Sequence, residues 1–349
     1  MRQSVSFLSA RPVRAGRAVI TAAALLLLFP AALLSCRKQE PAVNEVVIWT
    51  YDSFNSEWGP GPEAARLFHE QSGITVRWVN HGDAGALLAR LLLEKEAAGA
   101  DIILGLDQNL ASRALDTGLF ASYVPAGADR ILPGLMLDGE YRLTPFDYSY
   151  FAIVYDSEAV PNPPRSLEDL TKGEFRGKIV LMDPRTSSPG LGFLAWTQEI
   201  YGAGWQDYWR RLRPSILTVA DGWSSGYGIF TAGDAPLVLS YTTSPGYHLE
   251  YEKTSRFRAA IFPEGHPVQI EAAGLLRAAK NSENAQAFLD FMLGDTFQEL
   301  IPLTNWMYPV TPVPLPESFR INPKSEKSLL PRAPLPAELD AWAALFQER

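Results

Sequence analysis

The sequence predicts an α/β fold in two lobes, and three features carry that expectation. The chain has 349 residues, more than one ordinary hydrophobic core organises. From Val46 onward, short β-branched runs alternate with segments of helical periodicity, the rhythm of parallel strands covered on both faces. A second set of strand and helix signals begins near Pro145 and continues past Ile179. A content of 47% hydrophobic and 20% charged residues places the chain with globular proteins and not with disordered ones.

The first 35 residues stand apart from this pattern. Arg2, Arg11, Arg14 and Arg17 form a basic region with no acidic residue before Cys36, and an apolar run from Ala18 to Leu34 follows. Leu33-Leu34-Ser35-Cys36 then has the arrangement of a bacterial lipobox. A membrane anchor is the competing reading, but the apolar run is at the short limit for a span and Pro30 interrupts it. The expectation is a lipoprotein signal over 1–35, lipidation at Cys36, and a polar tether over 36–45. Cys36 is the single cysteine, so the mature domain is expected to hold no disulfide, thiolate metal site or cysteine nucleophile. Loss of the four arginines takes the formal charge from −8 to −12, which disfavours nucleic acid and suits a cationic ligand.

Within the exported part, Val46 to Thr50 is the first strand and runs into Tyr51-Asp52-Ser53. Pro62 suits the first turn of a helix that Gly73 ends, and Ile74 to Val79 is the second strand. Asp83 caps a helix whose Leu87, Leu88, Leu91 and Leu92 recur at helical spacing. Ile102 to Leu104 and a helix over 109–116 complete the first set, giving a first lobe that begins with 46–145. The second lobe is expected over 146–261. Ile179 to Met182 is a strand there, followed by a buried helix with Ser188 as cap and Pro189 at its first position. Trp205, Tyr208, Trp209 and Leu212 recur as a core face. Ala259 to Pro263 and Val268 to Ala273 are expected to cross back, so that 262–349 finishes the first lobe. That last part carries an amphipathic helix around Phe288, a proline-rich wrap over 309–336 and a terminal helix marked by Leu339, Trp342 and Phe346.

The sequence carries no pattern that requires catalysis. The four histidines are scattered without an HxH or HExxH pair, and no GxSxG elbow or Walker loop occurs. Binding signals are stronger. Leu237 to Ser240 reads as a strand that opens into hydroxyls and rings, Tyr241, Thr242, Thr243, Ser244 and Tyr247, as at the floor of a small-molecule site. Tyr51, Trp58, Trp223, Tyr241, Tyr247 and Trp306 fall in loops or at strand ends, off the periodic faces, where rings can stack on a flat or cationic ligand. Asp83-Ala84 and Ser187-Ser188 sit at two helix starts in different lobes. Such starts either hold an anion on their free amides or are simply capped by these side chains.

Eight stretches taken together resemble the thiamine-binding proteins of bacterial thiamine ABC importers, a group of type II periplasmic binding proteins. They are WTYDSFNSEWGPGPE (Trp49 to Glu63), ADIILGLDQNL (Ala100 to Leu110), FDYSYFAIVYD (Phe146 to Asp156) and DPRTSSPGLG (Asp183 to Gly192). GWSSGYGIF (Gly222 to Phe230), LVLSYTTSPGYH (Leu237 to His248), EGHPVQIEAA (Glu264 to Ala273) and NWMYPV (Asn305 to Val310) complete the likeness, which runs collinear from Val46 to the end. The resemblance implies two α/β lobes with parallel-dominated sheets joined by a hinge, closing on thiamine, thiamine phosphate or thiamine diphosphate in the cleft. It implies contacts from Tyr51, Trp58, Asp83, Ala84, Ser187, Ser188, Trp223, Tyr241, Thr242, Thr243, Ser244, Tyr247 and Trp306, with no cofactor and no catalytic residue. It further implies delivery to an ABC permease and its ATPase, by a monomer outside the cytoplasm. The lipobox departs from the plain secretory signal usual in that group, and HGDAGALLARL around Asp83 matches more loosely than the other stretches. Thiaminase I shares the fold but needs a cysteine nucleophile, which the mature chain lacks. An Fe(III) binder using Tyr241 and Tyr247, and a binder of a polyamine or other organic cation, are the remaining alternatives.

Overall fold

A computed structural model describes residues 44–347. The expected signal segment, Cys36 and nearly all of the tether lie outside the described residues. The strands are β1 (Glu45–Thr50), β2 (Thr75–Asn80), β3 (Ile102–Asp107), β4 (Thr144–Asp156), β5 (Ile179–Met182) and β6 (Ile216–Ala220). They continue with β7 (Leu237–Tyr241), β8 (Phe257–Ala260), β9 (His266–Leu275), β10 (Tyr308–Pro309) and β11 (Ser328–Leu329). Pairing runs β2-β1-β3-β9-β4-β7-β5-β6, with β8 and β10 on β4 and β11 on β9. The βαβ units are parallel as expected: β1 lies parallel to β2 and β3, and β5 parallel to β6 and β7. The sheet as a whole is mixed and not parallel-dominated. β9 runs antiparallel to β3 and β4, and β4 antiparallel to β7 and β8.

β4 joins the two halves. Its first part, Thr144 to Tyr150, pairs with β9, and its second part, Phe151 to Tyr155, pairs with β7. One strand therefore satisfies its backbone groups in both sheets, as the strand-rich run beginning at Pro145 suggested. β8 does not cross back as expected. It pairs with the second part of β4, and the return falls to β9 alone.

Helices cover both faces: α1 (Pro60–Ser72), α2 (Ala84–Glu94), α3 (Gln108–Leu115), α4 (Ser188–Tyr201), α5 (Trp205–Leu212), α6 (Trp223–Thr231), α7 (Ser244–Tyr251) and α8 (Ser282–Met292). Two single turns, α9 (Asp295–Gln298) and α10 (Ile301–Thr304), precede the wrap, and α11 (Pro336–Leu345) closes the chain. α1 starts at Pro60, two residues before Pro62. Gly73 ends it in the left-handed region at φ 71°, donating to the His69 carbonyl, a conformation that a Cβ disfavours. Ser187, not Ser188, holds the N-cap position of α4, without a side-chain cap hydrogen bond, and Pro189 lies one position further in than expected. It lies tight on the sheet because Gly190 and Gly192 have no Cβ, which would come within 2.4 Å of the Met182 carbonyl and 2.2 Å of the Phe151 ring.

Separate cores fill the two halves. Phe68, Phe146, Phe288 and Met292 pack on one face of the first sheet, while Leu87, Leu88 and Leu91 of α2 cover the other. Trp196, Tyr208 and Trp209 centre the second core, the last two as helical periodicity predicted. The terminal helix packs chiefly there, Trp342 meeting Trp209 edge to face at 5.7 Å, while its Leu339 also touches the first-lobe cluster under α2. Asn322 in the wrap likewise accepts from the Gly246 amide of α7 at 2.9 Å. The sequence marked α11 as a helix through Leu339, Trp342 and Phe346 but held no information about which apolar surface it would cover. Trp196 is fully buried, stacked obliquely at 5.7 Å on Phe262 and 4.9 Å from His266. Trp196→Ala is expected to lower the unfolding free energy by about 3–5 kcal/mol, read as a lower midpoint in urea with an unchanged slope.

Candidate ligand-binding site

The C-terminal ends of β1 and β7, the middle of β9 and the starts of α2, α4 and α6 converge on one recess with a wider outer chamber, the usual position for a site in an α/β sheet. Tyr51, Trp58, Asp83, Ser188, Trp223 and Tyr241 line the inner recess, whose free volume is about 50 Å³. Ser244 and Trp306 complete the expected set there. Trp58, Trp223, Ser244, Tyr247 and Trp306 also line the outer chamber of about 240 Å³. Four expected residues do not line either space. Ala84 is buried with its amide on Asp83, and Ser187 is buried with its hydroxyl unpartnered. The Thr242 hydroxyl is also buried and unpartnered, and Thr243 shares a hydrogen bond of 3.0 Å with Ser149. These two threonines turn into the sheet because the strand alternation ends at Tyr241 and a tight turn into α7 takes over.

The aromatic walls are built by neighbours on different elements. Trp223 stacks on Tyr227 at 4.7 Å and faces Trp58 across the cleft at 6.2 Å. Its indole N–H donates to Ser240 Oγ at 2.9 Å, and Ser240 in turn shares a hydrogen bond of 2.8 Å with Ser244. On the opposite side, Trp306 meets Tyr247 edge to face at 5.5 Å and stacks on Phe319 at 6.0 Å. Trp306 adopts φ 57° after α10, its amide donating to the Ile301 carbonyl. A bulky side chain pays strain there, and such strain is held only where packing on several sides demands it. Trp58, by contrast, is 53% exposed and leaves half its ring to solvent at the mouth.

The two helix starts singled out as anion sites are in contact with each other. The Ala86 amide of α2 donates to the Thr186 carbonyl just before α4. Asp83 caps α2 by accepting from the Ala84 amide at 2.6 Å, and reaches across to the Trp223 amide of α6 at 2.9 Å. One carboxylate thus occupies two helix starts, where a free anion would otherwise sit. Burial pushes its pKa up, and the amides of Trp223 and Ala84 partly hold it down. Ser224 Oγ donating to Asp52 at 3.2 Å adds another link between the halves.

The floor is acidic, a feature that was not anticipated. Glu271 and Asn305 line the recess alongside Ser53, Pro189 and Met307. Glu271 on β9 is in register with Asp107 on β3 and Asp147 on β4, and all three are buried. Burial raises Asp107 to about 7 despite the side chain of Asn109 and the amides of Leu110 and Asn109. Glu271 is pushed well above the carboxylate range by burial and by the charge of Asp147, and burial raises Asp147 as well. Glu271 stood within EGHPVQIEAA, an acid inside an apolar alternating strand, which is the signal that could have found it. Among the described residues no group of three or more His, Cys, Asp or Glu is placed to hold a metal ion.

This geometry is matched in sequence and in structure by known proteins. Residues 98–337 match the family described as bacterial extracellular solute-binding protein. The thiamine-binding periplasmic protein of Brucella abortus is 49% identical over 294 residues, covering 83% of this chain and 86% of the relative. The chain belongs to this family. The thiamine-binding periplasmic protein of Escherichia coli is 43% identical over 317 residues, covering 90% of this chain and 96% of the relative. A solved periplasmic thiamin binding protein superposes with a TM-score of 0.81 at 42% identity, covering 87% of this chain and 95% of the other. Asp83 ties the start of α2 to the start of α6 across the cleft. Asp83→Ala is expected to lower the unfolding free energy by about 1–2 kcal/mol through loss of two helix caps, with Asp83→Asn losing less, as read by thermal melts.

Proposed function

We propose that the mature domain captures thiamine, or thiamine mono- or diphosphate, by closing its two halves and delivers it to an ABC permease and its ATPase. The observation that carries this reading is a recess with Trp58, Trp223, Tyr247 and Trp306 as walls and a carboxylate floor, in a chain 49% identical to a thiamine-binding protein. Aromatic faces suit the aminopyrimidine and thiazolium rings, and the acids match their positive charge. The proposed contacts are Tyr51, Trp58, Asp83, Ser188, Trp223, Tyr241, Ser244, Tyr247 and Trp306, with Glu271 and Asn305 added by the lining of the recess, while buried Ala84, Ser187, Thr242 and Thr243 support these from behind. In this scheme β4, shared between the sheets, and the link from β8 to β9 carry the hinge between 146–261 and the remainder of the domain. Capture needs no cofactor and no catalytic residue, and one copy of the chain suffices.

The alternative with Fe(III) on Tyr241 and Tyr247 is disfavoured by the lining, in which Trp58, Trp223 and Trp306 supply apolar faces where a hard cation needs oxygen donors. Calorimetry of the purified domain lacking its first 36 residues is expected to give saturable heat with at least one of thiamine, its monophosphate and its diphosphate. Fe(III) and spermidine are expected to give none. Trp223→Ala and Tyr247→Ala should each weaken binding roughly tenfold. No heat with any thiamine compound, on folded and ligand-free protein, would sink the assignment.

The domain is proposed to act at an extracytoplasmic membrane surface, tethered through a lipid on Cys36. Mass spectrometry of the protein isolated from membranes is expected to find Cys36 as the first residue, carrying diacylglycerol. An unmodified N-terminus elsewhere would rule the tether out.

A further inference from the structure

The acids at the floor of the recess are not equally satisfied. Asp107 is fully engaged at the head of α3, accepting from the Asn109 and Leu110 amides and from the Asn109 side chain, each at 3.0 Å. Glu271 accepts from the Tyr51 hydroxyl at 2.9 Å and from the Gln269 side chain at 3.2 Å. Asp147 Oδ2 accepts from the Asn305 side chain at 2.5 Å, while Asp147 Oδ1 is buried with no donor. Glu271 and Asp147 lie within hydrogen-bonding reach of each other, side by side on β9 and β4.

Carboxylates only accept, so two ionised ones at this distance would repel and leave the Asp147 oxygen orphaned. The groups around them offer no relief. Asp107 faces the pair from β3, Tyr51 from the end of β1 and Tyr241 from the end of β7. Tyr148 and Tyr308 flank Asp147 along β4 and β10, Asn305 is neutral, and Asp83 at the head of α2 adds negative charge to Asp107 and Tyr241. Among the described residues neither Glu271 nor Asp147 forms an ion pair with lysine, arginine or histidine. A single proton held between the two carboxyls supplies the missing donor and removes one charge.

We propose that Glu271 and Asp147 share one proton in the empty recess, and that a cationic ligand entering it expels that proton and takes its place as the counter-charge. The inference rests on the thiamine reading above and deepens it, because it assigns to Glu271 the discrimination of a cation from a neutral molecule of the same shape. The exchange balances: the O–H bond of the pair breaks, the proton leaves to solvent, and the doubly ionised pair faces the ligand's positive charge. No covalent bond to the ligand forms. The direction of the pH dependence follows. Burial and mutual charge hold the pair protonated above the ordinary carboxylate range, so protons compete with the ligand and affinity falls as pH is lowered through that raised range.

The test is calorimetry with thiamine chloride at about pH 6.5 in phosphate and in Tris, whose ionisation enthalpies differ. The observed heats should differ by the amount for about one proton released per ligand. Glu271→Gln should abolish the difference and weaken binding roughly thirtyfold or more. Asp147→Asn, which keeps an acceptor for Asn305 and brings its own donor, serves as the second variant should the first fail to fold. Saturable binding with equal heats in both buffers overturns the inference and leaves the thiamine reading intact. If thiamine gives no heat, the thiamine reading fails, and infrared spectra of the ligand-free protein decide the pair. A protonated carboxyl band that Glu271→Gln removes supports it, and absence of that band overturns it.

Discussion

The backbone of β4 is the constraint on which the two halves depend. A buried strand must satisfy its amides and carbonyls on both edges, and β4 does so with different partners along its length. Thr144 to Tyr150 belongs to the sheet of β9, and Phe151 to Tyr155 to the sheet of β7. The change of partner places Asp147 and Ser149 beneath the recess and brings the Phe151 ring within 5.5 Å of Tyr241, stacked on it. A single covalent strand with no break thus joins the two halves beneath the recess.

The floor is costly to build. Three buried acids in register on adjacent strands lower stability unless each is hydrogen-bonded or neutral. Asp107 meets this demand by capping α3, whereas Glu271 depends on neutral donors from Tyr51 and Gln269. The same arrangement leaves the recess electrically unbalanced in the sense a cation would correct. Stability given up in the fold is in this way available to binding.

The walls are organised on a different principle. Trp223 is fixed three ways, by the Tyr227 face, by the Ser240 hydroxyl and by the Asp83 carboxylate on its amide. Tyr227 is itself held from below by His248 at 2.8 Å, whose other ring nitrogen meets Glu252. Burial lowers the His248 pKa although Glu252 opposes that shift. Rings supported in this manner lose little freedom when a ligand arrives, since it was already given up in folding. The exposed Trp58 is the exception and the wall most free to move over an entering molecule.

Local pattern determined much of this protein without its tertiary structure. The βαβ rhythm, the helix stops at Gly73 and starts at Asp83, and the core role of Trp205, Tyr208 and Trp209 all follow from interactions within a few residues. The rings at the cleft were legible for the same reason, because each fell off a periodic face. What the tertiary structure decided is every feature that joins distant segments. The antiparallel return of β9, the docking of α11 on α5 and the shared cap at Asp83 each pair residues scores of positions apart. The acidic floor belongs with these: Glu271 stands out in its apolar strand, but only the pairing of three strands sets it beside Asp107 and Asp147. Burial and proximity, not residue type, raise their proton affinity, and neither can be read along a chain.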